Sequence, residues 1–261
     1  MNLLRIKGLV IRTVDVREAD RMVTIFSEEM GAVSAMARGA RSLKSRQMSA
    51  TMQYCYGQYV LYKKGDLYWI REAELIESFF DIRKSLGGLA LAAYICEVLS
   101  YVTTAEEDRT LLRLSLNSLY AIAKGQIEIE RIKAAFEVRC AAVLGFMPDV
   151  SGCRVCERTE GEFLLDVMDG SIVCLDCRDT MAAELPLHRE EDVRERRIVC
   201  LMPAGVRMAF AYCIFCPPEK IFSFRLSEED ARLFEKAAEA YLLHHLERSF
   251  RTLDFYHQMQ G

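Results

Sequence analysis

The stretch YCYGQYVLYKKGDLYWIREAEL, residues 54–75, decides the fold of the N-terminal third of the chain. Two runs rich in aromatic and branched residues, Tyr54–Tyr62 and Leu67–Leu75, flank Lys63-Lys64-Gly65-Asp66. Glycine and aspartate suit the tight turn between antiparallel strands, so this pattern predicts a β-hairpin. Upstream, Leu4 begins another strand-like run, and a turn follows Phe26. Several short strands separated by glycine turns predict a small closed β-barrel.

The hydrophobic period changes after Asp81, where apolar residues recur three and four positions apart. Gly125 and Gly145 follow two of these runs and are typical of helix C-terminal ends. Ser227, with Asp230 three residues later, is typical of a helix start near the C-terminus. The three central runs predict helices over Leu86–Val102, Asp108–Lys124 and Glu128–Leu144. The chain is therefore predicted to be an α+β protein, with a barrel followed by a helical region.

Two Cys-x-x-Cys pairs, Cys153/Cys156 and Cys174/Cys177, are separated by seventeen residues. Each pair lets the backbone turn so that both sulfurs face one point, and two such pairs form the tetrahedral shell that zinc favours. Four protein ligands leave no open position, so the pattern predicts one structural zinc ion and no catalytic one. A short hairpin turning at Asp169-Gly170 would bring the pairs together. Free thiols, redox pairs and an iron–sulfur cluster are the alternatives.

A second motif, Cys213-Ile-Phe-Cys216, follows His188 and Glu190 and so resembles the pattern of zinc deaminases. Tyr212 stands where that pattern has proline. Residues three apart on a helix share a face, which favours packing of both cysteines into a core. A thiol or zinc enzyme using Cys213 and Cys216 is kept as an alternative function. The remaining cysteines are interpreted as core residues: Cys55, Cys96, Cys140 and Cys200.

The net charge of −4 over 261 residues hides a difference between segments. Residues 1–80 contain 12 basic and 9 acidic residues, a balance of +3, whereas the remainder carries −7. Opposite signs suggest different partners for different domains. Arg5 and Lys7 interrupt the apolar N-terminus, and Glu97 interrupts the most apolar run. We therefore expect a cytoplasmic protein with no membrane partner and with reduced thiols.

The densest basic segment is Arg38-Gly-Ala-Arg41-Ser-Leu-Lys44-Ser-Arg46. Its cations are suited to phosphates, and its small residues allow close backbone approach. Nearby strands carry aromatic residues on which bases of a single strand could stack: Tyr56, Tyr59, Tyr62, Tyr68 and Trp69. The alternative is a solvated loop beside tyrosines that belong to the core. The sequence contains no P-loop, G-x-S-x-G or H-E-x-x-H motif, which disfavours nucleotide hydrolysis and these classes of hydrolase.

The order of these parts resembles the RecO family of bacterial recombination mediators over essentially the whole chain. The resemblance rests on the opening Leu3–Val16, the run Ala37–Arg46, the helical middle, the four-cysteine insert and the ending Tyr241–Phe255. It implies an OB-fold nucleic-acid-binding domain at residues 1–80. It further implies a helical domain at residues 81–150 and 182–261, and a zinc-ribbon-like insert at residues 151–181.

The resemblance also implies function without covalent catalysis and without a small-molecule substrate. Family members bind single- and double-stranded DNA, anneal complementary strands and, with RecR and contact to the C-terminal tail of SSB, promote RecA loading on gapped DNA. It implies a nucleoid-associated cytoplasmic location and a zinc ion that stabilises the fold. The DNA contacts are assigned to Arg38, Arg41, Lys44 and Arg46. A zinc-ribbon module that binds RNA or DNA in transcription or translation is the alternative.

Overall fold

The computed structural model describes residues 3–104, 108–178 and 198–259. The chain divides into two compact units, one formed by Met1–Ile129 with Phe250–Gly261 and one formed by Glu130–Ser249. The strands are β1 (Leu3–Val16), β2 (Asp20–Ser27), β3 (Gly31–Ala37), β4 (Tyr56–Lys64), β5 (Leu67–Glu77), β6 (Asp149–Cys153), β7 (Phe163–Asp166), β8 (Ser171–Cys174) and β9 (Val199–Met202). The longer helices are α1 (Leu86–Val102), α2 (Arg109–Lys124), α3 (Ile129–Val143), α4 (Ala204–Phe215), α5 (Glu228–Leu246) and α6 (Arg251–Gln258).

The first unit begins with a closed barrel whose strand order is β1-β2-β3-β5-β4. All neighbouring strands are antiparallel except β3 and β5, which are parallel. In that pair, Ala35 lies opposite Tyr68 and Met36 lies opposite Trp69. β1 is long enough to pair with both β2 and β4, and its register with β2 shifts between Val10 and Arg12. Such a shift bends a strand and helps a small sheet to close. The five-stranded barrel confirms the predicted OB-like architecture.

Alternating side chains of the five strands fill the barrel. Val10, Ile25, Leu61 and their neighbours are almost fully buried. Tyr59 also lies inside, and its hydroxyl donates to the Ala50 carbonyl at 2.7 Å, so the buried polar atom is satisfied. The barrel interior is therefore a packed core, and any ligand must bind on its outer surface or at its ends.

Gly8 is a point of close contact between strands, because a Cβ atom there would lie 2.5 Å from Ile25 Cγ2 and 2.6 Å from the Phe26 carbonyl oxygen. We predict that Gly8→Ala lowers the free energy of unfolding by about 2–3 kcal/mol through overpacking. Urea denaturation followed by the fluorescence of Trp69, the only tryptophan of the chain, measures this. Ser34→Ala, at an exposed position of β3, is the control and should change stability by less than about 0.5 kcal/mol. Equal stability of the two variants would contradict the prediction.

The rest of the first unit is helical. A 3-10 helix, Phe80–Lys84, leads into α1, where the Ser85 side chain accepts from the Gly88 N–H as an N-cap. α6 packs on α1, and the Phe250 ring meets Tyr94 edge-on at a centroid distance of 5.8 Å. α1 and α2 begin and end within one residue of their predicted bounds, and Gly125 ends α2 with a φ of 61°.

The second unit combines a four-stranded sheet, order β6-β8-β7-β9, with α3, α4 and α5. The predicted hairpin is present as β7 and β8, and Ser227 caps α5 by accepting from the Asp230 N–H. Lys133 is buried between α3 and α5, where its ammonium lies 3.0 Å from Glu137 and 2.6 Å from Glu239. His188 and Glu190 of the deaminase-like pattern lie outside the described residues. Within the described ranges, no helix has the length and apolarity needed to cross a bilayer.

Candidate metal centre and nucleic-acid interface

The four cysteines predicted to bind metal come together in the second unit. The Sγ atoms of Cys153, Cys156, Cys174 and Cys177 all lie within 4.8 Å of one another. The Sγ atoms of Cys156 and Cys174 are 3.7 Å apart. A tetrahedron with metal–sulfur bonds of about 2.3 Å has edges of about 3.8 Å. The spacing and the all-sulfur donor set therefore fit a four-coordinate metal ion.

The β7–β8 hairpin positions the two halves of this cluster. Cys153 ends β6 and Cys174 ends β8, and the two strands run parallel. The Cys174 N–H donates to Cys153 Sγ at 3.3 Å, as backbone donors do around a thiolate ligand. Ion pairs join the two Cys-x-x-Cys turns to the rest of the element: Arg154 to Asp169 and Arg158 to Asp176. Long-range strand pairing thus closes a site in which Cys153 and Cys174 are 21 residues apart in the chain.

The thiols of the cluster have unequal tendencies to ionise. Burial raises the pKa of Cys153, but backbone N–H donors from Cys174, Cys156 and Val155 together outweigh burial and lower that pKa to about 6. Hydrogen bonding of the Cys177 thiol with Cys156, and then with Cys174, raises its pKa to about 12. Four thiolates at this spacing would repel one another strongly. A divalent cation removes that repulsion, so the four cysteines can hold a metal ion as a set.

Cys213 and Cys216 are placed differently. Cys213 is fully buried in α4, and burial raises the pKa of its thiol. The Arg139 guanidinium donates to the carbonyl oxygens of both cysteines and lies 3.4 Å from Cys216 Sγ. Arg139 therefore satisfies backbone acceptors at the end of α4. Burial disfavours the thiolate of Cys213 and so its use as a nucleophile.

The basic segment follows β3 as a series of turns. All four predicted DNA-binding side chains, Arg38, Arg41, Lys44 and Arg46, are exposed. The backbone of the segment is nevertheless held in place, because the Gly39 N–H donates to Asp20 Oδ1 at 2.8 Å. The Arg41 N–H also donates to the Ala19 carbonyl at 3.0 Å. The cations are therefore presented to solvent from an anchored loop.

Arg41 differs from the other three cations. Its guanidinium donates to the carbonyl oxygens of Arg17 and Glu18 at 3.0 and 3.1 Å, and its Nε lies 3.2 Å from Asp15 Oδ2. By contrast, the side chains of Arg38, Lys44 and Arg46 make no hydrogen bond or ion pair with any residue in the described part of the chain. Arg41 thus anchors the turn after β1, and the other three are available to an anion.

A groove of about 720 Å³ lies where the basic segment meets the end of the β4–β5 hairpin. Its lining includes three cations, two carboxylates and two aromatic rings. The lining residues are Arg17, Glu18, Ala19, Asp20, Arg38, Gly39, Tyr62, Lys64 and Trp69. Sequence reasoning did not select Arg17 or Lys64. The adjacent lysines Lys63 and Lys64 in the predicted turn could have indicated a basic surface at Lys64. Arg17 gave no such signal, because it reaches the groove only when the barrel closes.

The five aromatic residues proposed from sequence for base stacking have different environments. Tyr59 belongs to the core, and Tyr68 packs against it. The Tyr56 hydroxyl donates to Glu28 Oε1 at 2.9 Å, away from the groove residues. Tyr62 and Trp69 line the groove and are half-buried. The alternative interpretation, tyrosines in the core, therefore holds for Tyr59, and a surface suited to bases remains at Tyr62 and Trp69.

Comparison with known proteins gives matches along most of the chain. Residues 1–79 match the family model Recombination protein O N terminal, and residues 83–191 match Recombination protein O C terminal. The DNA repair protein RecO of Acetivibrio thermocellus is 32% identical over 98% of this chain and 96% of its own length. The RecO protein of Thermoanaerobacter sp. (strain X514) is 28% identical over the full length of both chains. That of Clostridium kluyveri is 32% identical over 67% of this chain and 69% of its own.

Proposed function

The chain belongs to the RecO family of DNA repair proteins, and from that premise we propose that it is a recombination mediator that acts by binding DNA. It anneals complementary single strands and catalyses no covalent reaction. Annealing requires that phosphate repulsion be shielded while bases stay accessible, and neither requirement needs a catalytic acid or base.

The observation that carries this proposal is a set of exposed cations without partners, one of which lines a groove together with two half-buried aromatic rings. Arg38, Lys44 and Arg46 have no partner among the described residues, and the groove next to Arg38 presents Tyr62 and Trp69. Cations neutralise phosphates, and rings stack with unpaired bases. Arg41, assigned to DNA contact from sequence, is proposed to contribute mainly by holding the loop that carries the other three.

We propose that the N-terminal and helical domains bind different partners. Residues 1–80 bind single- and double-stranded DNA, and the helical domain at 81–150 and 182–261 binds protein partners, as the excess of acidic residues beyond residue 80 suggests. The proposed partners are RecR and the C-terminal tail of SSB, which together direct RecA loading on gapped DNA. The proposed location is the cytoplasm, in association with the nucleoid.

The metal of the four-cysteine insert, residues 151–181, is proposed to be a single Zn²⁺. Four thiolates in a tetrahedral shell are a typical structural zinc site, and they leave no position for a reacting water. The ion would be held by Cys153, Cys156, Cys174 and Cys177 and would stabilise the second unit. Its contribution to DNA binding would then be indirect.

Annealing of complementary oligonucleotides coated with SSB tests the proposal most directly. We expect the protein to accelerate duplex formation at least tenfold over the rate of the SSB-coated strands alone, measured by fluorescence transfer between end labels. The control is the variant with Arg38, Lys44 and Arg46 changed to glutamine, which removes the cations and should lose most of the acceleration. An unchanged rate with the wild-type chain contradicts the mediator role. A strong preference for RNA would instead favour the zinc-ribbon alternative.

A further inference from the structure

Tyr62 and Trp69 are neighbours across the β4–β5 hairpin. The two residues are directly paired in the strand register, so their side chains lie on the same face of the ribbon. Leu61, which precedes Tyr62, and Ile70, which follows Trp69, point into the barrel and are buried. Strand alternation therefore places both rings on the outer face, where they form part of the groove lining.

Neither ring has a hydrogen-bonding or aromatic partner within the part of the chain that the structure describes. The Tyr62 hydroxyl and the Trp69 indole N–H make no hydrogen bond there, and neither ring stacks on another aromatic side chain. The Lys64 ammonium lies 6.0 Å from the centroid of the Trp69 ring. A pair of half-buried amphipathic rings, without a stacking or hydrogen-bonding partner in the described residues and with a cation close by, is suited to a flat aromatic ligand that carries negative charge.

The charges of the groove indicate how such a ligand is held. Arg17, Arg38 and Lys64 face Glu18 and Asp20 in the same lining, and the Asp20 carboxylate is already engaged by the Gly39 N–H. The lining therefore has a net charge of only +1. A site built only for phosphates would be more basic. Contact with the face of a ring must supply much of the affinity here, with Arg38 and Lys64 available to the adjoining phosphates.

We propose that this groove is a stacking site for an unpaired nucleobase, with Trp69 and Tyr62 as the platform. The proposal rests on the proposed DNA-binding function and specifies which part of the surface distinguishes single strands from duplex. The basic segment binds phosphates of either form, whereas the groove binds only bases that are free to leave the stack.

During annealing, base pairing competes with binding of the bases in the groove. A base within a duplex is paired and stacked on its neighbours, and extracting it costs a few kcal/mol. Once two held strands pair, their bases can no longer occupy the groove without that cost. Duplex formation therefore weakens binding at Trp69 and favours release of the product. The groove therefore holds single strands until their bases pair, and it then releases the duplex.

The test uses the fluorescence of Trp69, which is the only tryptophan and therefore reports on the groove alone. We expect oligo-dT to quench it, whereas an abasic oligonucleotide of the same length and a blunt duplex bind with little quenching. Trp69→Ala should bind oligo-dT about 5- to 150-fold more weakly, as expected for loss of one stacked base. Its salt slope should not change, because no phosphate contact is removed.

Two control variants accompany Trp69→Ala. Trp69→Phe keeps a ring and should restore most of the affinity for oligo-dT. Tyr120→Ala removes an exposed ring in α2 that likewise lies near a lysine, Lys124 at 5.1 Å, and should change nothing. Affinity of Trp69→Ala for the abasic oligonucleotide should equal that of the wild-type chain.

Several results would overturn the stacking site. Equal quenching by oligo-dT and the abasic oligonucleotide shows that no base reaches the groove, and this comparison needs no variant. Wild-type affinity of Trp69→Ala for oligo-dT has the same meaning. In both cases DNA binding through the basic segment stands. If the wild-type chain binds none of these nucleic acids, the proposed function itself fails.

Discussion

Replacing Arg38, Lys44 and Arg46 together by glutamate will lower the affinity for a single-stranded oligonucleotide on the order of 1,000-fold at 0.1 M salt. Each charge-assisted contact contributes about 1.5 kcal/mol, and three such contacts amount to roughly three decades in the dissociation constant. The slope of log K against log salt should fall by about 2, at about 0.7 for each phosphate contact on a single strand. Fluorescence anisotropy of a labelled oligonucleotide over a salt series measures both quantities.

Arg41 is left unchanged in that variant because its guanidinium holds the turn after β1 through two carbonyl oxygens. The matched control reverses three exposed cations of the second unit, Lys220, Arg225 and Lys236, and so changes the net charge by the same amount. It should bind within a few-fold of the wild-type chain. Undiminished binding of the first variant, or equal loss in both, would show that the basic segment is not the contact surface.

Loss of the metal should destabilise the second unit strongly. We expect Cys153→Ser, or removal of the ion by a chelator, to lower the free energy of unfolding by about 3–5 kcal/mol, because metal binding to such a site is coupled to folding. At about 4 °C for each kcal/mol, this corresponds to a fall in Tm of about 12–20 °C. Calorimetry measures the Tm, and elemental analysis of the purified protein should find one equivalent of zinc.

The matched control is Cys200→Ser, which changes a buried cysteine in β9 of the same sheet that is not a member of the sulfur cluster. It should cost about 1 kcal/mol and retain the metal. Re-addition of zinc should restore the chelated wild-type chain but not Cys153→Ser. Oligonucleotide binding below the new transition should persist, since the proposed contacts belong to the first unit. Absence of bound metal, or equal Tm values for the two variants, would refute the structural zinc site.

Much of the fold follows from local pattern. Gly65-Asp66 between two alternating runs was sufficient to predict the hairpin of β4 and β5, because turn geometry and strand alternation are properties of neighbouring residues. The helix bounds were predicted in the same way, from the spacing of apolar residues and from residues typical of helix ends, such as Ser227 at the start of α5 and Gly125 at the end of α2. The two Cys-x-x-Cys spacings predicted which four sulfurs would meet, since each short turn already directs two ligands to one point.

The candidate DNA surface could be predicted only in part. The basic segment is visible in the sequence as a run of charge, and all of its cations are exposed as expected. Nothing in that run distinguishes Arg41, whose partners lie on the turn after β1, from Arg38. Nor does tyrosine content show that Tyr59 is inside the barrel while Tyr62, three residues later, lies in the groove. The first distinction depends on which turn lies next to the basic segment, and the second on which face of β4 turns inward.

The sequence by itself therefore determined the elements, the sulfur ligands and the basic character of one loop, because each depends on residues close together in the chain. Only the tertiary structure decided which of these side chains are exposed and without a partner in the described part of the chain, and so available for the proposed DNA contacts. Closure of the barrel brings Arg17, Arg38, Lys64 and Trp69 to one groove from four separate segments. The same closure buries Tyr59 and commits Arg41 to the protein itself. Such contacts are set by strand order and register, which no single segment encodes.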